Sequence, residues 1–263
     1  ILNMVSKIVK AGMICTMTTN GNKLDVEMAK SLRKAGLSKV QVSMNGDTEA
    51  INSLTRPNFK SAVNAIENAR QAGLKTGINY VVTKQNIKRF PNLLKKAEEW
   101  ECDSFNLLRP KEAFDDFDWL ISESPGPEEF AWLQQRLKEL SPKSRVKVRF
   151  DDAFSFLVSD QNPDELYENG IWGCVAARRF LNIDPFGNIY ACSHVRETDV
   201  GNGDFLLAWR ESKTLERFRT LDEDIEGKCA ACSFRKCCRG CRAVVLAYGE
   251  DFISEDFQCP LDK

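Results

Sequence analysis

Apolar positions along this 263-residue chain alternate between helical spacing and short continuous runs. Three helical patterns end in the related sequences KAGM (10–13), KAGL (34–37) and QAGL (71–74). The glycine of each suits the position just past a helix end, where φ is positive. A β-like run follows each one, at 13–19, 39–44 and 76–83. The pattern predicts helices that alternate with strands.

The segments between these runs have helical periodicity and helix-end signals. Apolar residues recur at helical spacing at Val26, Ala29 and Leu32, and at Ala62, Val63, Ile66 and Ala69. Asp25 is placed to cap one helix, Pro91 suits the first turn of another, and SFNLLR (104–109) predicts a fourth strand. Strands alternating with helices predict parallel βαβ units, hence an α/β fold with strands buried on both faces.

The sequence changes character after Pro110. An acidic stretch (110–126) precedes a predicted helix (127–140), a strand (146–150) and a hairpin (180–193) that turns at DPFGN. Most of the remaining cysteines surround this hairpin. We therefore predict an α/β domain over 1–150, a linker over 151–171 and a cysteine-rich domain over 172–263.

Composition excludes several classes of protein. Charged residues make up 29% and apolar residues 43%, as is ordinary for a globular protein. A net charge of −1 argues against nucleic acid or an anionic membrane as partner. No apolar run is long enough to span a bilayer, and Lys7 and Lys10 interrupt the N-terminal apolar stretch, unlike a signal peptide. Because the chain starts with Ile1 and not methionine, we expect that its natural N-terminus is missing.

Five of the ten cysteines lie between positions 229 and 241. A disulfide framework is one interpretation. However, a large α/β domain does not need disulfide bonds for its stability, and the adjacent Cys237 and Cys238 are awkward disulfide partners. A zinc site is the second, since paired C-x2-C elements are typical of zinc ribbons. The third is an iron–sulfur centre, which needs four thiolates around each cubane.

The cysteine spacings carry a family resemblance. Cys229, Cys232, Cys238 and Cys241 form C-x2-C-x5-C-x2-C, Cys259 follows, and upstream Cys174 and Cys192 flank Gly187. This order resembles the SPASM domain of radical S-adenosylmethionine (SAM) enzymes. The family commonly has C-x3-C where this chain has C-x2-C. A register through Cys237 would restore that spacing but shorten the preceding one, so we expect Cys238 to be the ligand.

The resemblance implies two auxiliary 4Fe-4S clusters. One would take Cys229, Cys232, Cys238 and Cys259, and the inner one only Cys174, Cys192 and Cys241. An iron without a thiolate could bind substrate, water or His194. The alternative for His194, which we prefer, is a polar residue that ends the hairpin.

The α/β half is similar to the same family. TTNG (18–21) and VSMNG (42–46) resemble segments at the strand ends of radical SAM barrels, with Asn45 in place of the usual Asp. Ligands of parallel barrels bind at such strand ends. The resemblance places Ser43 and Asn45 at SAM, Asn20 in the cavity and Arg56 at the SAM carboxylate. The alternatives are turn chemistry for the polar residues and a surface position for Arg56.

One part of the family pattern is absent from this chain. The C-x3-C-x2-C motif, which holds the third cluster that reduces SAM, does not occur in this sequence. Cys15 and Cys102 are expected to be buried structural thiols. The resemblance implies that this motif precedes Ile1, so we expect these 263 residues alone to be unable to cleave SAM.

The family as a whole implies a function. We expect a partial parallel (β/α) barrel followed by a SPASM domain, in a cytoplasmic radical SAM oxidoreductase or maturase. It would use a 5′-deoxyadenosyl radical to abstract hydrogen from a substrate. The substrate that we expect first is a peptide or protein. A reductant such as flavodoxin or ferredoxin would supply electrons. The alternatives are a haem- or porphyrin-pathway radical SAM enzyme, and an interaction module bearing zinc or iron–sulfur clusters without radical chemistry.

Overall fold

The computed structural model describes residues 1–112, 117–195 and 204–261. The strands are β1 (Thr16–Thr19), β2 (Lys39–Ser43), β3 (Lys75–Val81), β4 (Ser104–Leu108), β5 (Lys147–Phe150), β6 (Asn182–Ile183) and β7 (Ile189–Tyr190). The α-helices of these ranges are α1 (Leu2–Lys10), α2 (Val26–Lys34), α3 (Glu49–Ser53), α4 (Phe59–Gln71), α5 (Phe90–Glu99), α6 (Phe117–Glu123), α7 (Pro127–Leu140), α8 (Pro163–Glu168), α9 (Phe205–Glu211), α10 (Lys213–Asp224), α11 (Gly227–Ala231) and α12 (Arg242–Ala247). Short 3-10 segments lie at Ile87–Arg89, Ser141–Lys143, Asp152–Val158 and Arg235–Cys237.

The first five strands form one parallel sheet in the order β1-β2-β3-β4-β5. Each strand pairs with the next along the chain, as in the register of Val40 with Thr76 and of Ile78 with Phe105. The order progresses in one direction without the reversal of a doubly wound sheet, which is how the wall of a (β/α) barrel is built. The predicted α/β fold with parallel strands is confirmed. The predicted hairpin is confirmed as well, since β6 and β7 pair antiparallel.

Local sequence signals explain the helix ends. The glycines of the three repeated segments, Gly12, Gly36 and Gly73, have φ angles of 79°, 100° and 75°. These values belong to the left-handed region that glycine enters at little cost, so α1, α2 and α4 end where the sequence predicts. At the start of α2, the Asp25 carboxylate accepts a hydrogen bond of 2.8 Å from the amide of Met28, as expected of an N-cap.

The two faces of the sheet differ in polarity. Val40, Val42, Ile78 and Tyr80 are fully buried on one face. The alternate positions of the edge strands β1 and β5 are exposed. The prediction that the strands are buried on both faces is therefore wrong for β1, because the described residues do not cover the face that carries Thr16 and Thr18. None of the helices in the described ranges is both long enough and apolar enough to cross a membrane.

The chain divides into two compact units. The first comprises 1–109 and 132–151 and contains the parallel sheet, while the second comprises 110–131 and 152–263 and contains the hairpin and most cysteines. The segment predicted to be a linker has a 3-10 segment and helix α8, and its Phe154 and Phe156 are buried. The domain boundaries predicted from the sequence stay a prediction.

Candidate metal centre

Four cysteines of the second unit line one pocket. They are Cys229, Cys232, Cys238 and Cys259, and the side chains of Phe156, Phe234 and Leu261 are among the rest of the wall. These are the four residues that the resemblance assigns to the C-terminal cluster. Apolar walls around thiols exclude water, which is the setting in which thiolates hold metals tightly.

Short local elements bring these thiols together. Cys229 lies in helix α11, and Cys232 follows it at the helix end. Cys238 comes directly after a 3-10 turn. Cys259 lies in a turn where its amide donates to the Asp256 carbonyl at 3.1 Å. The amide of Asp256 also points at the Cys229 sulfur, at 3.5 Å, a contact that stabilises a thiolate.

The electrostatics of the pocket disfavour free thiolates. Burial raises the pKa of Cys229 and Cys238, and raises the pKa of Cys259 to about 11. Negative charge on neighbouring thiols raises the pKa of each of them further. Without a cation these groups stay protonated, so the donor set suits a thiophilic metal whose charge replaces the protons.

Four thiols can hold either a single metal ion or a cluster. Within the described ranges, no group of three or more His, Cys, Asp or Glu side chains could hold one metal ion. A zinc ion needs all its sulfurs at about 2.3 Å from one point. In a cubane each thiolate binds a different iron, so the four sulfurs lie farther apart than around zinc. The four thiols of this pocket are donors that both kinds of centre use, so the assignment to a cluster comes from the family resemblance of the cysteine spacing.

Cys237 lies outside this pocket. Its side chain is fully buried, and its thiol contacts the carbonyl oxygen of Pro163 at 3.0 Å. It packs in a small cluster with Leu166 and Phe234. The structure therefore places Cys238, not Cys237, among the pocket cysteines.

The three cysteines of the predicted inner set also lie near one another. Burial raises the pKa of Cys174 to about 11, and charges on Cys241 and Cys192 raise it further. The amide of Cys174 donates to the carbonyl of Cys238 at 3.1 Å, which links the two sets through the backbone. His194 is exposed, and its Nδ1 lies 3.1 Å from the carbonyl oxygen of Glu112. This contact agrees with a polar role, and whether His194 binds iron stays a prediction.

The predicted SAM residues lie at the carboxyl ends of β1 and β2. Asn20 follows β1 and is exposed, and its side-chain oxygen accepts from the amide of Asn22 at 3.1 Å. The Asn20 carbonyl accepts from the side-chain amide of Asn58. Ser43 is the last residue of β2 and is half-buried. Asn20 is thus positioned by turn chemistry, and Ser43 by its place at the end of β2.

Asn45 has a structural role. It is buried, its side-chain nitrogen donates to the Thr55 hydroxyl at 2.8 Å, and its oxygen accepts from the Val81 amide at 3.0 Å. The side chain of Asn86, which the sequence did not single out, donates to the Asn45 carbonyl at 3.1 Å. These bonds fix the ends of β2 and β3 against each other. A SAM-binding role for Asn45 stays a prediction.

Arg56 is a half-buried cation. Its Nε is buried and has no hydrogen-bond partner within the described residues, and burial lowers its pKa. A buried guanidinium nitrogen without a partner is costly unless a ligand satisfies it. A role for Arg56 at the SAM carboxylate stays a prediction.

Two further groups were missed by the sequence. Asn106 donates to Asn79 at 2.9 Å, and Asn79 donates to Thr18 at 3.5 Å, so polar side chains form a row across the sheet. Polar residues alternating within apolar strands were the available signal. The second group is a pair of buried arginines, Arg239 and Arg242, close to the cysteines in sequence.

Several known proteins are similar in sequence to this chain. Residues 1–97 match the model of the Radical SAM superfamily. AdoMet-dependent heme synthase of Methanosarcina barkeri is 24% identical over 95% of this chain and 75% of its own length. Mycofactocin maturase MftC of Mycolicibacterium smegmatis is 29% identical over 92% of this chain and 62% of its own.

The solved structure of Streptococcus suis SuiB bound to S-adenosylmethionine has a similar fold. It superposes with a TM-score of 0.75 over 99% of this chain, at 19% identity. At that identity the likeness establishes the fold alone. This chain spans 62% of the SuiB chain. The α/β fold with a five-stranded parallel sheet is thus the fold found in radical SAM structures.

Proposed function

We propose that this chain is part of a radical SAM/SPASM enzyme that abstracts hydrogen from a substrate with a 5′-deoxyadenosyl radical. The observation that carries the proposal is the pocket lined by Cys229, Cys232, Cys238 and Cys259. It occurs in a chain whose first 97 residues match the Radical SAM superfamily. Both features are needed, because thiol clusters and α/β sheets each occur in many unrelated proteins.

Two auxiliary 4Fe-4S clusters are the proposed resident cofactors. The first is held by the four pocket cysteines, and the inner one by Cys174, Cys192 and Cys241. When bound, such clusters supply one-electron transfer and, at an iron without a thiolate, a binding position for substrate. The order and spacing of the seven cysteines, which resemble the family pattern, support clusters over zinc.

SAM is proposed to bind at the carboxyl ends of β1 and β2. Arg56 would pair with its carboxylate, which would satisfy the partnerless Nε. Ser43 would contact the ribose or carboxylate, Asn20 would line the cavity, and Asn45 would hold the strand end. The third cluster, which reduces SAM, is expected on a segment preceding Ile1. A cytoplasmic location and a flavodoxin or ferredoxin reductant stay predictions from the sequence.

A peptide or protein is the proposed substrate. SuiB has been solved bound to precursor peptide SuiA, and MftC is a mycofactocin maturase. The hydrogen-bonded row of Thr18, Asn79 and Asn106 supports this class, because amide side chains can bond both the N–H and the C=O of a peptide. A porphyrin is the second candidate, favoured by the similarity to heme synthase over 95% of this chain.

The proposal is tested by anaerobic purification of the protein. A brown protein with about eight irons per chain, four for each cubane, is expected. A colourless protein with one zinc ion would contradict the enzyme and support an interaction module. These residues treated with SAM and dithionite should yield no 5′-deoxyadenosine, whereas the full-length enzyme should yield it. Substrate class is read by adding candidate peptides or an iron porphyrin and measuring which one increases 5′-deoxyadenosine formation.

A further inference from the structure

Two arginines are buried beside the cysteines, and their surroundings differ. Arg239 is paired, since its Nε lies 2.7 Å from the Asp222 carboxylate. Its other nitrogens donate to the carbonyls of Cys174 and Phe218, at 2.9 and 2.6 Å. The charge of Arg239 is thus largely balanced within the protein.

Arg242 is not balanced in this way. Its side chain is 1% exposed, and Nη1 donates to the carbonyls of Phe252 and Ser254, at 2.7 and 2.6 Å. The Nε and Nη2 atoms are buried without a hydrogen-bond partner in the described residues. Among those residues no carboxylate forms an ion pair with it. A buried cation of this kind is destabilising unless an anion nearby offsets it.

The guanidinium lies next to the wall of the four-cysteine pocket. Gly240 is part of that wall, and a Cβ atom on Gly240 would be only 2.5 Å from Nη2 of Arg242. The absence of a side chain at Gly240 therefore lets the cation approach the pocket.

The other charges near the pocket are few. Lys228 donates to the carbonyl of Cys259 at 3.3 Å, and the buried Asp256 carboxylate accepts from the Cys241 amide at 2.9 Å. Arg235 also lines the pocket, but it is exposed, and water screens its charge. Arg239 lines the pocket and is paired with Asp222, whereas Arg242 lies beside the pocket at Gly240 and forms no ion pair within the described residues. The Asp256 carboxylate, 3.4 Å from the same Cβ position, is the buried anion nearest to this point of the wall.

We propose that Arg242 is the fixed counter-charge of the C-terminal cluster and sets its reduction potential. The inference rests on the proposed function, since it requires a cluster in the pocket. Reduction by one electron adds one negative charge to the cluster, and a buried cation stabilises that charge more than water-screened cations do. Arg242 acts through its field and not as a catalytic residue.

The test compares Arg242→Gln with Arg235→Gln in the iron-loaded protein. One-electron reduction by dithionite is followed by electron paramagnetic resonance at controlled potentials, and the signal lost in Cys259→Ser identifies the C-terminal cluster. Arg242→Gln should lower the equilibrium constant for reduction at least tenfold, a shift of about 59 mV for one electron. Arg235→Gln should change this equilibrium constant much less. Arg242→Lys keeps the charge, so its equilibrium constant should stay within tenfold of the native value.

Each result decides the inference. A folded Arg242→Gln protein with full iron content and the native potential overturns it. If that variant does not fold, the Arg242→Lys variant decides the question. A native reduction potential in Arg242→Lys supports the fixed charge, and a change of tenfold or more in its equilibrium constant for reduction contradicts it. A colourless, iron-free native protein overturns the proposed function together with this inference, whereas a brown protein with an unchanged Arg242→Gln potential overturns this inference alone.

Discussion

The side chains of Gln41 on β2 and Ser104 on β4 are hydrogen-bonded across the strand that separates them. The Gln41 amide donates to the Ser104 hydroxyl at 3.1 Å, directly over Gly77 of β3. A Cβ atom at Gly77 would lie 2.1 Å from the Gln41 oxygen and 2.3 Å from the Ser104 hydroxyl. Gly77 is therefore required by the close approach of two neighbours.

Gly77→Ala is expected to destabilise the protein by about 1–3 kcal/mol, the usual cost of overpacking a buried site. Chemical denaturation measures the free energy of unfolding. Gly126→Ala is a matched control, because the one neighbour there is the Glu129 carboxylate at 3.1 Å, the end of a flexible side chain. Adding Ser104→Ala should recover part of the loss. A Gly77→Ala protein as stable as the control would show that the neighbours move aside at little cost.

The two cysteine environments predict opposite effects on iron content. Cys229→Ala combined with Cys259→Ala removes two of the four pocket thiols and leaves fewer than the three proposed for the inner cluster, so bound iron should fall from about eight to about four per chain. Cys237→Ala removes a thiol that packs against Leu166 and Phe234 outside the pocket, so iron should stay unchanged. Iron and sulfide analysis after anaerobic reconstitution checks both. Loss of iron in the Cys237 variant would show that the alternative register is used.

Arg56→Gln should weaken SAM binding to the full-length enzyme at least tenfold, or about 1.4 kcal/mol. The guanidinium of Arg56 has a buried nitrogen without a partner in the described residues, whereas the Lys60 amine is 81% exposed. Lys60→Gln is therefore the control and should bind SAM normally. Calorimetric titration with SAM gives both dissociation constants. Equal affinities in the two variants would exclude Arg56 as a ligand of SAM.

Cys102 should make the protein less stable as pH rises. Burial raises the pKa of its thiol to about 11 in the folded state. The unfolded chain therefore loses the thiol proton at lower pH than the folded one, and stability falls between the ordinary thiol pKa and about 11. Below that window the thiol is protonated in both states and has no such effect. The difference in unfolding free energy between native protein and Cys102→Ala should narrow from pH 8 to pH 10.5, and a constant difference would contradict it.

Features that depend on neighbours along the chain could be predicted from the sequence. The helix ends at Gly12, Gly36 and Gly73 and the cap at Asp25 follow from local backbone preferences. The cysteine spacing predicts Cys238 and not Cys237 as a ligand, and Cys238 lines the pocket, while its role as a ligand stays a prediction.

Features that depend on residues far apart in the chain could not be predicted. Asn45 bonds with Val81 and Asn86, and Gln41 reaches Ser104, only because the sheet brings separate strands together. The lack of an ion pair for Arg242 among the described residues is likewise a property of the folded state. Hydrophobic periodicity carries no information on such pairs.

The outer edge of β1 has a consequence for handling the protein. In the described ranges β1 pairs with β2 on one side only, and just before it Ile14 and Met13 are 86% and 56% exposed. An unpaired strand edge beside exposed apolar side chains is a template for a second chain. When produced by themselves, these residues should therefore self-associate with rising concentration, and dilute samples suit spectroscopy better than concentrated ones.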